Sequence, residues 1–142
     1  MESIQALSIG YEGRTIQDLI DLLKTHEIEQ VIDVRLMPVS RRKYFCKNNL
    51  SAYLREEGIE YLHIRSAGNP YYKQRDDVEL CLKLYTGYLK DHPDVMDSVF
   101  SKLSDSHTAV LCYERDHVDC HRNVLLRQIS KSVHKIEVIL AD

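Results

Sequence analysis

The sequence predicts an α/β fold: a mainly parallel open sheet of about five strands with helices on both faces, a flavodoxin- or Rossmann-like three-layer sandwich. Three observations predict it. Short apolar runs alternate along the chain with longer segments whose apolar residues recur at helical spacing. The run Val31-Ile32-Asp33-Val34 is nearly continuous in apolar character, as in a strand covered on both faces. Polar residues and glycines follow the runs, where a parallel sheet gathers its ligand-binding loops.

The elements follow in order. Ala6-Leu7-Ser8-Ile9 forms a first strand that stops at Gly10. Thr15 caps a helix whose Leu19, Ile20, Leu22 and Leu23 make one apolar face. Val31-Ile32-Asp33-Val34 is the second strand. Asn48 or Asn49 caps a helix through Leu50, Tyr53 and Leu54, and Gly58 closes it at the C′ position. Residues Ile59 to Ile64 make the third strand. A helix from Val78 to Lys90 turns Val78, Leu82, Tyr85 and Leu89 to one side. Pro93 opens the next, which carries Val95, Met96, Val99, Phe100 and Leu103. Thr108 to Leu111 is the fourth strand, a helix from about Cys120 carries Leu125, Leu126 and Ile129, and Lys135 to Leu140 is the last strand. Strands joined through helices imply right-handed βαβ units. No repeat or linker interrupts the pattern, so residues 1–142 read as one domain.

Composition narrows the function. A net charge of −3 supplies no global basic field to recruit nucleic acid, although a local basic patch stays open. No apolar run approaches the roughly 20 residues that span a bilayer, so no membrane partner is expected. The start Met1-Glu2-Ser3-Ile4 lacks the basic residues and apolar stretch of a signal peptide, which reads as a cytoplasmic chain. In that compartment the four cysteines, Cys46, Cys81, Cys112 and Cys120, are expected as reduced thiols. Oligomeric state has no signature here.

Chemically capable residues fall where the strands end. Gly10-Tyr11-Glu12-Gly13 follows the first strand. Asp33 and Arg35 end the second and lead into Ser40-Arg41-Arg42. Gly68-Asn69-Pro70 follows the third, and Cys112 and Glu114 end the fourth. Four such loops at one edge predict a pocket there. Cys112-Tyr113-Glu114 and Cys120-His121-Arg122 flank one short loop before a helix. Placed in the first turn, Cys120, His121 and Arg122 would meet free N–H groups and the positive end of the dipole, which favour an anion and lower a thiol pKa. Arg122 can also chelate phosphate or carboxylate through two parallel hydrogen bonds.

These residues carry a resemblance. The pattern C-x-E followed by C-H-R resembles the signature of the family called Domain of Unknown Function 488. Ser8-Ile9-Gly10-Tyr11 is similar to the family's T-I-G-Y/H opening, and Asp33 to Arg41 to its D-V-R-x-x-P-x-S-R pattern. Gly58 to His63 and Gly68 to Pro70 match its G-I-E-Y-x-H and G-N-P pieces. One departure is His117, where family members often carry proline. The resemblance covers nearly the whole chain and implies the α/β fold and the site, without a reaction.

Each residue has a plain reading beside the functional one. Cys112 and Cys120 can be small apolar packing residues, or reactive thiols. Adjacent Cys120 and His121 normally diverge on a helix and no C-x-x-C is present, so neither zinc nor any other cofactor is expected. Glu114 can be a general acid or base, or a salt-bridge partner of Arg122 or Arg35. His121 can transfer protons or bond a carbonyl, and Asp33 and Arg35 can be a structural ion pair. The leading expectation is an enzyme acting on a phosphate-bearing small molecule or nucleic-acid end. Glu114, Asp33, Cys120 and His121 are its catalytic candidates. Gly10, Tyr11, Arg35, Ser40, Arg41, Asn69, Cys112 and Arg122 are its binding candidates. A non-catalytic nucleotide- or anion-binding module, or a thiol redox sensor, remains the alternative.

Overall fold

The computed structural model describes residues 4–74 and 76–141. Residues 1–3, read above for a targeting signal, lie outside them. The strands are β1 (Ile4–Gly10), β2 (Gln30–Asp33), β3 (Glu60–His63), β4 (Thr108–Cys112) and β5 (Ile136–Leu140). The helices are α1 (Ile16–Thr25), α2 (Lys47–Glu56), α3 (Val78–Asp91), α4 (Pro93–Asp105) and α5 (His121–Ser132). One parallel sheet runs in the order β3-β2-β4-β1-β5.

Period-two alternation along the strands splits the core in two. Ala6, Ile32, Val110 and Ile136 face α3, α4 and α5 through Tyr85, Val99, Leu125 and their neighbours. Leu7, Ile9, Val31, Ala109 and Leu111 face α1 and α2 through Leu19, Leu23, Leu50 and Leu54. The topology explains the division. From β1 to β2 to β3 the chain moves one way across the sheet; from β3 to β4 to β5 it moves back. Right-handed crossovers put the helices of the two directions on opposite faces. Neighbouring connections diverge between β2 and β4, and the crevice at such a switch point is where open α/β sheets bind ligands.

Thr15 caps α1 and forms a capping box with Asp18, as its position predicts, and Gly58 closes α2 at φ 75°. Three local expectations change. Neither Asn48 nor Asn49 caps α2; Cys46 occupies that position, and the Asn49 amide donates instead to the Lys43 carbonyl. Val78 is 41% exposed, because the buried face of α3 runs through Cys81, Tyr85 and Leu89. Cys120 stands just before α5 as its N-cap, with extended backbone (φ −108°, ψ 148°), rather than within the first turn. Among the described residues no helix is long and apolar enough to cross a membrane.

Candidate functional site

Register brings the flagged residues to one edge. Gly10 is level with Cys112, and Asp33 with Leu111 and His63. The backbone amides of Tyr11 and Glu12 continue the pairing beyond β1, donating to the Cys112 and Tyr113 carbonyls. The glycines are steric requirements. A Cβ on Gly10 would lie 1.8 Å from the Glu114 carbonyl oxygen, and one on Gly68 would lie 2.5 Å from Leu36 Cα. Two loops therefore press on backbone that only glycine leaves room for.

Above this edge opens a cavity of about 850 Å³. Tyr11, Arg35, Ser40, Arg41, Asn69, Cys112, Glu114 and His121 line it, all named from sequence. Tyr72 and Cys81 line it too, and sequence reasoning gave them no place there; Tyr113 also lines it, within the Cys112-Tyr113-Glu114 segment named from sequence but without a role assigned. Cys81 did carry a signal, since it lies four residues before Tyr85 on the buried face of α3. A cleft of similar volume, 860 Å³, lies at the opposite edge among Glu27, Glu29, Ser104, His107 and Thr108. Among the described residues its lining has no thiol and no buried charge, and it sits at the amino ends of the strands, so the chemistry points to the first cavity.

The cavity floor is a closed ion pair. Asp33, fully buried, accepts from Arg35 Nη2 at 2.6 Å and from Arg35 Nε at 2.9 Å. Tyr61 donates its hydroxyl to the same carboxylate. Burial, and then the Asp33 charge, push the Tyr61 phenol up, so it stays a donor. Arg35 Nη1 donates to the Phe45 carbonyl at 2.7 Å and to the Tyr11 hydroxyl at 3.3 Å, and its guanidinium lies over the Tyr11 ring. Asp33 has spent its carboxylate on these partners. Arg35 is fixed by them while still forming part of the cavity wall.

Glu114 and Arg122 are less satisfied. The Glu114 carboxylate joins neither arginine in an ion pair; the ion pairs among the described residues are Arg35–Asp33 and Lys24–Glu57. Its Oε2 is buried with no hydrogen-bond partner among the described residues. Arg122 is fully buried, and Nη2 donates to the Glu114 backbone carbonyl at 2.6 Å. Nε and Nη1 of the same guanidinium have no partner among the described residues. Arg122 does not line the cavity; it stands behind the loop that does. Its charge, after burial itself, holds His117 below the ordinary imidazole range, with Asp116 opposing. His117 in turn pairs through Nδ1 with the Ser8 hydroxyl at 2.6 Å. On the rim, Arg41 is exposed and makes no hydrogen bond or ion pair among the described residues, whereas Arg42 donates to the Arg14 carbonyl and lies over Phe45.

Cys112, Cys120 and His121 converge despite the expectation that Cys120 and His121 diverge. The reason is the extended backbone of Cys120, which frees its side chain from helical geometry. Their ligand atoms lie within 4.8 Å of one another. His121 Nε2 bonds the Val34 carbonyl at 2.8 Å, so that nitrogen carries the proton and Nδ1 presents its lone pair to both sulfurs. The expected lowering of the Cys120 pKa is reversed. Burial, reinforced by Cys112, pushes the thiol well above its usual value, outweighing the helix start. All four cysteines are free.

With this geometry in place, comparison with known families gives one result. A family model described as a domain of unknown function, DUF488, matches residues 15–129. The chain belongs to the DUF488 family. The matched span holds Arg35, Arg41, Glu114, Cys120, His121 and Arg122, although the β1 end with Gly10 and Tyr11 precedes it. No curated protein and no solved structure matches the chain. Membership in DUF488 thus brings no reaction with it.

Proposed function

We propose that this DUF488 protein is a cytoplasmic enzyme that hydrolyses a phosphate-bearing substrate, a nucleotide or a nucleic-acid end, by acid–base catalysis. The observation that carries the reading is a buried Glu114 carboxylate oxygen with no partner among the described residues, in a cavity whose rim carries the Arg41 guanidinium, likewise without a partner among them. A sheltered carboxylate without a bond costs free energy that a ligand's polar group would recover. Arg41 takes the phosphate, with Ser40 and Asn69 as polar walls. Tyr72 and Tyr113, both exposed at the mouth, offer faces on which a base can stack. Glu114 moves the proton or activates water.

The other candidates serve by position. Asp33 holds Arg35. Arg122 fixes the Glu114 backbone and contributes a positive charge behind it. The raised thiol pKa of Cys120 works against the redox reading, because the thiolate is the reactive form. A second reading has one observation in its favour. With Asp33 committed to Arg35 and Tyr61, the carboxylates left in the lining are the half-buried Glu114 and the exposed Asp119, so Glu114 has no second sheltered carboxylate beside it, an arrangement that also suits a module that binds without turnover.

The test is incubation of wild type and Glu114→Gln with nucleoside phosphates and 5′-phosphorylated oligonucleotides, with product formation and melting temperature both measured. The account predicts turnover that falls about a hundredfold or more in the variant, the scale of general acid–base catalysis, with melting unchanged. Ligand-induced stabilisation with no turnover would make the protein a binding module. Equal turnover in both proteins would remove Glu114 from the chemistry.

A further inference from the structure

We infer that Cys112, Cys120 and His121 form a binding site for one thiophilic d¹⁰ divalent ion, of which zinc is the type, with a fourth coordination position open to the cavity. The inference rests on the geometry of the three side chains and is independent of what the cavity binds.

The distances favour coordination over hydrogen bonding. His121 Nδ1 lies 3.8 Å from Cys112 Sγ and 3.9 Å from Cys120 Sγ. Both are long for a thiol donating to nitrogen. An ion with zinc–sulfur bonds of about 2.3 Å and a zinc–nitrogen bond of about 2.0 Å in tetrahedral geometry sets sulfur–nitrogen edges near 3.6 Å and a sulfur–sulfur edge near 3.8 Å. All three ligand atoms already lie within 4.8 Å of one another, so a contraction of a few tenths of an ångström up to about 1 Å at the widest edge closes the triangle.

The surroundings fit as well. Metal-bound histidines usually donate their second nitrogen to a carbonyl or carboxylate, which fixes the ring and its tautomer. His121 does this through Nε2 to Val34, at the end of the strand on the other side of the switch point. The Tyr85 ring meets the imidazole edge-on, with centroids 5.1 Å apart, and holds its plane. Cys112 and His121 line the cavity whereas Cys120 is sealed behind them, so the uncovered side of the triangle faces the cavity that also contains Glu114. Two thiolates balance a divalent charge. Binding replaces two S–H bonds with two sulfur–metal bonds and releases two protons to the buffer, with no change of oxidation state. Three protein ligands and one open position are the pattern of zinc sites that hold water or substrate.

The experiment uses the full chain, stripped of metal under reductant and titrated with cobalt(II) as a spectroscopic probe and then with zinc. The expected result is one ion per chain, thiolate-to-cobalt charge-transfer bands, and a zinc form whose X-ray absorption shows a shell of two sulfurs and at least one imidazole nitrogen. Cys120→Ser and His121→Gln should each weaken binding by more than the roughly 10–100-fold that loss of an outer partner costs. Cys46→Ser/Cys81→Ser should bind as wild type does. The absorption measurement is made on the unmodified protein, so it decides the matter even where a variant fails to fold. A shell of oxygen and nitrogen alone, binding that needs Cys46 or Cys81, or no stoichiometric binding at all would overturn the site.

Discussion

Gly10→Ala is the sharpest perturbation of the loop junction. The added Cβ would stand 1.8 Å from the Glu114 carbonyl oxygen, 2.4 Å from its carbon and 2.8 Å from the Arg115 nitrogen. Those atoms are backbone and cannot swing aside as a side chain does. To reach even 3.0 Å the segment must retreat by about 1.2 Å, and ordinary carbon contact needs more. The displaced carbonyl is the one that holds Arg122 Nη2 at 2.6 Å. A buried hydrogen bond to a charged group contributes about 1.5–3 kcal/mol, and overpacking costs about 1–3 kcal/mol. The two are coupled, so a loss of about 3–5 kcal/mol is expected. In urea, with an m-value of about 1–3 kcal/mol per molar, the midpoint should fall by roughly 2 M. Gly87→Ala is the control: it lies within α3, nothing is within 4 Å of its Cβ, and a gain of about 0.5–1 kcal/mol is expected there. A Gly10→Ala loss below about 1 kcal/mol would refute the claim that Arg122 and Gly10 jointly clamp the Glu114 loop.

Two further outcomes follow from the same geometry. His117 should titrate below the ordinary histidine range in an NMR pH series, because burial and then Arg122 oppose its charging; Arg122→Met should raise it. Its folded pKa being the lower one, its contribution to stability is complete above the unfolded value of about 6.5 and is lost as pH falls through the folded value. A His117 that titrates at or above the free value would contradict the placement of Arg122. Glu114→Gln keeps the backbone carbonyl that Arg122 holds, so its urea midpoint should correspond to a change of less than about 1 kcal/mol; a loss as large as that of Arg122→Met would mean the carboxylate is structural.

The architecture could be read from the chain because local signals agreed with one another. Thr15 with Asp18, Pro93 and Gly58 each mark a helix boundary by a mechanism that acts within a few residues. Val31 to Val34 and Thr108 to Leu111 were nearly continuous in apolar character because the sheet is covered on both faces. The candidate site was readable to the same depth: which residues end strands follows from sequence, and register then assembles them. Partner choice did not follow. Nothing local says that Asp33 is claimed by Tyr61, 28 residues on and in the neighbouring strand, or that Arg122 takes the carbonyl of Glu114 and leaves its carboxylate free. Cys120 shows the limit most clearly. One residue of difference in where α5 begins changes its backbone from helical to extended, and that turns two diverging side chains into a converging pair.

The central claim is that the cavity at the carboxyl ends of the strands, rather than the equally large cleft at their amino ends, is where this protein meets its ligand. Amide chemical-shift mapping with a nucleoside 5′-monophosphate tests it most directly. The account predicts shifts clustered on Ser40, Arg41, Asn69 and Glu114, at the mouth and wall of the cavity. Shifts confined to Glu29, Ser106 and His107 at the opposite edge, or none at saturating ligand, would contradict it.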